Sequence, residues 1–260
     1  MSVADRTSDE LWVCHLGVVP YLDAVAMQER VREQRQAGEL PDALLLLEHP
    51  PVYTRGRRSG AEDLPLGEGF YRAKGIDVID TDRGGRLTYH GPGQLVGYPI
   101  MAIDDVHRYL RTMEDAIVAT LAELGVQARS RHDEGIDYTG VWVDDRKIAS
   151  IGVHVSRGIT THGFAVNVEV DLEPFSWVLA CGLPDVAMTS IERELAPEHS
   201  TDLQCVRRRA AFQFARAHGR RQRLVSPRRL GIDAANAAGL ATERAPLKTV
   251  HAPRTEPVPA

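Results

Sequence analysis

The sequence predicts a single α/β domain built on a mixed β-sheet with flanking helices. Three observations carry that reading. Short apolar runs alternate irregularly with stretches of helical period, which argues against a regular doubly wound parallel sheet. Two strand-like runs separated only by Asp144-Asp145-Arg146 form a hairpin, so part of the sheet is antiparallel. Finally, 260 residues, 43% of them hydrophobic, suffice for one sizeable core, and no internal repeat divides it.

The elements follow in order. After a polar lead over residues 1–10, residues 11–17 read as a short strand. Residues 20–36 read as a helix, because Tyr21, Ala24, Val25, Gln28 and Val31 keep a helical period and Gly38 is placed to stop it. Residues 43–48 are a continuous apolar run of strand length, ended by Pro50 and Pro51. Gly, Arg and Glu dominate residues 54–69, which read as a loop. Strands follow over 76–80 and 95–100, separated by a turn at Arg83-Gly84-Gly85 and by Gly91-Pro92-Gly93. Asp104 or Asp105 caps the next helix, whose stripe is Val106, Tyr109, Leu110, Met113, Ile117, Leu121 and Leu124, closed by Gly125. The hairpin covers 140–143 and 147–155. Residues 164–170 form a further strand, 174–180 one or two helical turns, and about 202–218 a last helix carrying Leu203, Val206, Ala210, Phe214 and Ala217. From about Leu224 the aperiodic Ala, Pro, Arg and Thr predict disorder.

Composition removes several function classes. The chain carries 36 acidic and 31 basic residues, a formal charge of −5, which speaks against a general nucleic-acid-coating protein. The charge is uneven: residues 200–229 hold nine Arg and one Asp, leaving −13 on the remainder. Three cysteines, Cys14, Cys181 and Cys205, fit a reducing compartment rather than a disulfide framework. No apolar run approaches the ~20 residues a membrane span needs, and the N-terminus lacks a signal-peptide core. The expectation is a soluble cytoplasmic protein without a membrane or nucleic-acid partner.

Several residues are candidates for chemistry, each with a plain alternative. Cys181 can be a nucleophile if a cation lowers the ~8.5 pKa of a free thiol; otherwise it is a small core residue. Lys147 can supply that cation, or be a solvated lysine at a hairpin base. Arg83-Gly-Gly-Arg-Leu-Thr-Tyr-His90 can approach a ligand closely through its glycines, or be a Gly-rich turn with a core histidine. It matches neither phosphate-loop pattern. On neighbouring strands Ser150 and Gly152 share one face, as do Gly163 and Ala165; these small residues leave a slot for an acyl chain or mark a tight contact within the sheet. His154 and His162 lack metal-ligand spacing and read as structural or substrate-lining. Arg207, Arg208, Arg209 and Arg216 either dock an acidic partner or form a solvated helix face.

Five segments occur in order: Glu48-His-Pro-Pro-Val-Tyr-Thr54, the run from Arg83 through His90-Gly-Pro-Gly-Gln94 to Pro99, Lys147-Ile-Ala-Ser-Ile-Gly152, His162-Gly-Phe-Ala-Val-Asn167 and Cys181-Gly-Leu-Pro-Asp-Val-Ala-Met-Thr-Ser190. Together they closely resemble the lipoyl(octanoyl) transferase family of lipoate biosynthesis, over roughly residues 12–220. The resemblance implies a fold similar to the catalytic domains of biotin and lipoate protein ligases, with residues 1–220 as the catalytic domain and 221–260 as a disordered tail.

It further implies transfer of an octanoyl group from octanoyl-acyl carrier protein to one lysine of a lipoyl domain, on the E2 subunits of 2-oxoacid dehydrogenases and the H protein of glycine cleavage, with no cofactor. Carried over by motif, Cys181 is the acyl-thioester nucleophile and Lys147 lowers its pKa and moves the proton. Arg83, Gly84, Gly85, Arg86, Leu87, Thr88, Tyr89, His90, Ser150, Ile151, Gly152, Gly163, Phe164 and Ala165 line the acyl pocket. Backbone N–H groups at Gly84-Gly85 or Cys181-Gly182 are the candidates for holding an oxyanion. The competing readings are an ATP-dependent ligase on the same fold, an amidotransferase between lipoyl domains, and a non-catalytic acyl-binding module.

Overall fold

A computed structural model describes residues 9–179, 186–195 and 202–232. Its centre is a mixed nine-stranded sheet. β1 (Glu10–Val18) leads into helix α1 (Tyr21–Gln36), and β2 (Ala43–Glu48) returns parallel to β1. β3 (Val52–Arg55), β4 (Asp77–Asp80) and β5 (Thr88–His90) form a separate three-stranded sheet in the order β4-β3-β5, with the short helix α2 (Glu68–Ala73) between β3 and β4 in sequence. β6 (Gln94–Ile100) rejoins the main sheet antiparallel to β2.

Helix α3 (Val106–Ala122) then crosses one face, and β7 (Arg129–Ser130), β8 (Gly140–Val143), β9 (Arg146–Ser156) and β10 (Ile159–Asn167) complete the antiparallel part. β11 (Ala187–Met188) lies parallel to the start of β9, helix α4 (Ile191–Glu194) follows it, and helix α5 (Leu203–Ala217) packs beside α3. β12 (Arg221–Leu224) closes the order β12-β1-β2-β6-β10-β9-β8-β7.

β2 shows why the sheet sits where it does. Successive residues of a strand point to opposite faces. Leu44 and Leu46 join the core under α3 and α5, with Met113, Ile117, Phe164, Val166 and Phe214. Leu45 and Leu47 join the core under α1, with Met27, Val31, Val96 and Tyr98. Both faces are covered, so the strand reads as an unbroken apolar run. The small sheet has its own aromatic core of Tyr53, Tyr71, Tyr89 and Phe175. Asp105, rather than Asp104, caps α3, its carboxylate accepting from the N–H groups of His107 and Arg108. Asp202 caps α5 through the N–H of Cys205.

The expected boundary at residue 220 is corrected. β12 runs parallel to β1, pairing Arg221 with Glu10 and Leu224 with Val13. Leu230, on a 3-10 turn over Pro227–Leu230, and Ile232 are buried in the α1-side core. Isolated apolar residues among arginines give no period, which hid this last piece of core. Residues 54–69 are likewise not all loop: β3 extends to Arg55, a 3-10 turn covers Ala61–Asp63, and α2 begins at Glu68. The remainder of the tail, residues 233–260, lies outside the described residues.

Candidate active site

β8 pairs with β9 only as far as Ser150, where Gly140 is its partner. Beyond that point the Gly84 N–H donates to the carbonyl of Val153 at 2.9 Å, so the Arg83-Gly84-Gly85 turn takes over the edge of β9. A cavity of about 400 Å³ is lined by both, within the usual size range of small-molecule sites. The small residues predicted to form a slot face one another across the strands: Gly163 opposes Gly152 and Ala165 opposes Ser150. All four line the cavity. The tight-contact alternative is also correct, because a Cβ on Gly152 would lie 2.8 Å from the Gly84 carbonyl, and one on Gly163 would collide with Gly97 and Pro99. The same glycines therefore widen the slot and let the neighbouring backbone approach.

Tyr21, His90, Tyr98 and His162 contribute polar rings to the cavity wall. His49 lies behind them, its ring 5.5 Å from that of His90 and 5.2 Å from that of Tyr21. Its Nδ1 donates to the Val19 carbonyl at 2.6 Å, so Nε2 accepts from the Tyr98 hydroxyl at 2.6 Å. Burial holds the His49 pKa down to about 4. Burial, with His49 as neighbour, also holds His90 well below the usual histidine range. Both rings are neutral at neutral pH, which fixes their hydrogen-bonding roles.

One chain of hydrogen bonds links four of the five sequence motifs. Arg83 Nη2 donates to the Thr54 carbonyl at 2.5 Å and to its hydroxyl at 2.8 Å. The Thr54 hydroxyl faces His90 Nε2 at 3.5 Å. His90 Nδ1 donates to Gln94 Oε1 at 2.7 Å, and Gln94 Nε2 donates to Asn167 Oδ1 at 2.9 Å. Asn167 Nδ2 donates to the Thr189 carbonyl at 2.9 Å. The Thr189 hydroxyl donates to Glu194 at 2.5 Å, and Glu194 is held by both Arg146 Nε and Nη2 at 3.0 Å. Thr54, His90, Gln94, Asn167 and Thr189 are all buried, so each partner satisfies a group that would otherwise be stranded. The chain fixes Thr189, near the end of the motif that begins at Cys181.

Lys147 enters from the other side. It is 2% exposed and lines the cavity. The backbone of β9 pairs with β11 at this point, Met188 lying opposite Lys147, and the Thr189 N–H donates to the Lys147 carbonyl at 3.0 Å. The start of β9 and the end of the Cys181 motif are thus joined main chain to main chain. The solvated-lysine alternative is excluded by this burial. Cys181 and Gly182 lie outside the described residues.

Of the remaining expected residues, Arg83, Gly84, Gly85, Arg86, Leu87, Thr88, His90, Ile151 and Phe164 line the cavity. Tyr89 does not. It alternates to the opposite face of β5, where its ring packs against Tyr53 and Phe175 at 5.4 Å each. The Gly84 N–H is already bonded to Val153, which removes it from the oxyanion candidates. His154 and His162 flank Asp82, at 3.5 and 2.8 Å, and their neighbourhood pulls the Asp82 pKa down to about 2, the His162 hydrogen bond first among the causes. Arg207, Arg208, Arg209 and Arg216 do not line the cavity, and Arg209 is paired with Glu123 at 3.0 Å. Sequence reasoning missed Arg57, Arg58, His107 and Ile136, which also line the cavity and lie in a loop or at the start of a helical turn.

Among the described residues no helix is long and apolar enough to cross a membrane. The sequence pattern of the lipoyl protein ligase A/B catalytic domain family matches residues 20–214. A protein of Rubrobacter xylanophilus named octanoyltransferase is 49% identical over 186 residues, covering 70% of this chain and 82% of its own. One of Caldicellulosiruptor saccharolyticus with the same name is 41% identical over 222 residues, covering 84% of this chain and 92% of its own. Among solved structures, a lipoate-protein ligase A bound with ATP superposes with a TM-score of 0.72 at 20% identity, over 90% of this chain and 93% of that one. A bi-partite lipoate protein ligase from Thermoplasma acidophilum gives 0.67 at 18% identity, over 90% and 91%. These superpositions establish the shared fold.

Proposed function

Because the chain belongs to the lipoyl protein ligase A/B catalytic domain family, we propose that it transfers an octanoyl group from octanoyl-acyl carrier protein to a specific lysine of lipoyl domains, by way of an acyl-thioester on Cys181. The observation that carries the reading is the position of Lys147. A lysine 2% exposed, lining a cavity walled by small strand residues, is backbone-paired to the segment that follows Cys181. A buried cation beside a thiol favours the thiolate.

In the first half-reaction the Cys181 sulfur attacks the carrier thioester carbonyl. A new S–C bond forms, the carrier S–C bond breaks, and the carrier thiolate takes the proton of the Lys147 ammonium, leaving that amine neutral for the second half-reaction. In the second, the acceptor lysine amine attacks the Cys181 thioester. The C–N bond forms, Cys181 leaves as thiolate, and the amine proton passes to Lys147, general-base assistance of a kind worth about 10²–10⁴-fold. One thioester exchanges for another without nucleotide activation, and amide formation drives the second step. The acceptors that fit are the lipoyl domains of 2-oxoacid dehydrogenase E2 subunits and the glycine cleavage H protein, and the site of action is the cytoplasm.

Intact-mass analysis after mixing with octanoyl-acyl carrier protein tests the scheme. An octanoyl adduct on Cys181, absent in Cys181→Ser, is expected. Wild-type transfer by Cys181→Ser would refute it. Release of AMP from ATP and free octanoate would instead assign the chain to the ligase branch of the same fold.

A further inference from the structure

The lysine that the proposed chemistry needs is held in an unusual seat. β8 and β9 lose register between two adjacent pairs: Val141 opposes Ala149, but Trp142 opposes Lys147. One extra residue, Ile148, is therefore accommodated in β9. Such bulges re-aim the side chains next to them. The Lys147 amine lies over the Trp142 ring, 5.1 Å from its centroid. Trp142 is fully buried, and its indole N–H donates to the Tyr138 carbonyl at 2.9 Å, which fixes the ring plane.

Gly140 stands two residues before Trp142 and so shares its face of β8. Its φ is +134°. A Cβ there would lie 2.8 Å from Lys147 Cε, 3.4 Å from Nζ and 2.5 Å from the Ala149 carbonyl. The lysine stem thus runs across the bare Cα of Gly140. Gly140 is itself pinned from α3: its N–H donates to Glu114 Oε1 at 2.8 Å, and the buried Glu114 is paired with Arg111 at 2.7 Å.

We propose that Gly140 and Trp142 are positioning residues for the Lys147 amine, Gly140 by leaving room for the lysine stem and Trp142 by presenting its ring face to the ammonium. This rests on the reading that Lys147 acts on Cys181. A cation over an indole face is held electrostatically as well as by packing. The glycine is required because a methyl group there displaces the stem, and a misplacement of about 1 Å in an active site costs on the order of 10²-fold in rate.

The test follows the alkylation of Cys181 by iodoacetamide against pH, read by peptide mass spectrometry so that Cys14 and Cys205 do not interfere, alongside kcat and KM for transfer. Lys147→Ala sets the reference for a thiol without its cation. Gly140→Ala and Trp142→Leu should slow Cys181 alkylation at neutral pH toward that reference, converge with wild type at high pH, and lower kcat by on the order of 10²-fold with little change in KM. Trp142→Phe, which keeps an aromatic face, should stay closer to wild type than to Lys147→Ala. In the wild-type protein the Lys147 Hε resonances should be shifted upfield by the indole ring current.

If Lys147→Ala alkylates as wild type, the cysteine–lysine reading itself fails. If Lys147→Ala is slow while folded Gly140→Ala or Trp142→Leu matches wild type, that reading stands and the seat is overturned. Trp142→Phe as slow as Lys147→Ala overturns the role of the ring face. Unshifted Lys147 Hε resonances overturn the seat whether or not the variants fold.

Discussion

Asn167 offers the most informative single substitution. Its amide is 1% exposed and spans two partners, accepting from Gln94 and donating to the Thr189 carbonyl, each at 2.9 Å. Asn167→Asp keeps the acceptor. An ionised carboxylate, however, replaces the donor with an oxygen facing the Thr189 carbonyl, whereas a protonated carboxyl restores it. Burial and that carbonyl both favour the neutral acid, so the folded-state pKa lies above the ~3.9 of an unfolded aspartate.

For a carboxyl whose folded pKa is raised, stability is lost as pH rises above the unfolded value, until the folded pKa is reached. The loss at pH 7 is capped by the cost of keeping the group protonated, about three units at ~1.36 kcal/mol each, or roughly 4 kcal/mol. Asn167→Ala should lose about 1–3 kcal/mol, for a buried acceptor left unmade, with no such pH dependence. Urea unfolding of both variants and wild type between pH 4.5 and 8 separates the two patterns. A loss in Asn167→Asp that is flat with pH and equal to that of Asn167→Ala would refute the hydrogen-bonding roles assigned to this chain.

Three further outcomes are expected. Leu230→Ala should cost about 2–5 kcal/mol in urea unfolding, since Leu230 is fully buried; a cost under about 0.5 kcal/mol would return residues beyond 220 to the surface. Asp82, held to about 2 by His162, contributes stability above the ~3.9 of the unfolded carboxyl that is lost as pH falls from about 4 to 2. Its side chain is half exposed, so Asp82→Asn should lose only about 1 kcal/mol at neutral pH and converge with wild type near pH 2. Ser150→Leu should fill the slot opposite Ala165, abolishing the octanoyl adduct on Cys181 while still admitting an acetyl group; undiminished octanoyl loading would move the acyl chain elsewhere.

The helices α3 and α5 were legible from an apolar stripe and a capping aspartate, Asp105 and Asp202, whereas α1, whose buried side includes Gln28 and Arg35, was legible from its spacing and from Gly38, which takes a φ of 74°. The hairpin at Asp144 was legible for the same local reason, and Asp144 indeed takes a positive φ of 51°. The second sheet was partly hidden: β3 begins just after Pro50-Pro51, and β5 lies between Gly-rich turns that read as interruptions. Residues 159–163 escaped because their Thr, Thr, His and Gly look polar, while the fold buries every one of them beside β6 and α1. Within the site, the motif residues were visible as types. Their connections were not, since Thr54, His90, Gln94, Asn167 and Thr189 meet only through tertiary structure. Tyr89 was misplaced because a motif is contiguous in sequence, whereas neighbouring strand residues face opposite ways.

β12 has a consequence for how the protein would fail. All four of its residues are exposed, and two of them are arginines. β12 covers the flank of β1, whose residues 11–14 are otherwise an apolar tetrad of Leu, Trp, Val and Cys. An uncovered strand of that composition is a template for pairing with other chains, and charged side chains along an outermost strand discourage it. Cutting the chain after residue 220 would therefore expose an adhesive margin as well as weaken the core. The product should be lost first to concentration-dependent self-association, with light scattering rising before the far-UV signal of the remaining sheet declines.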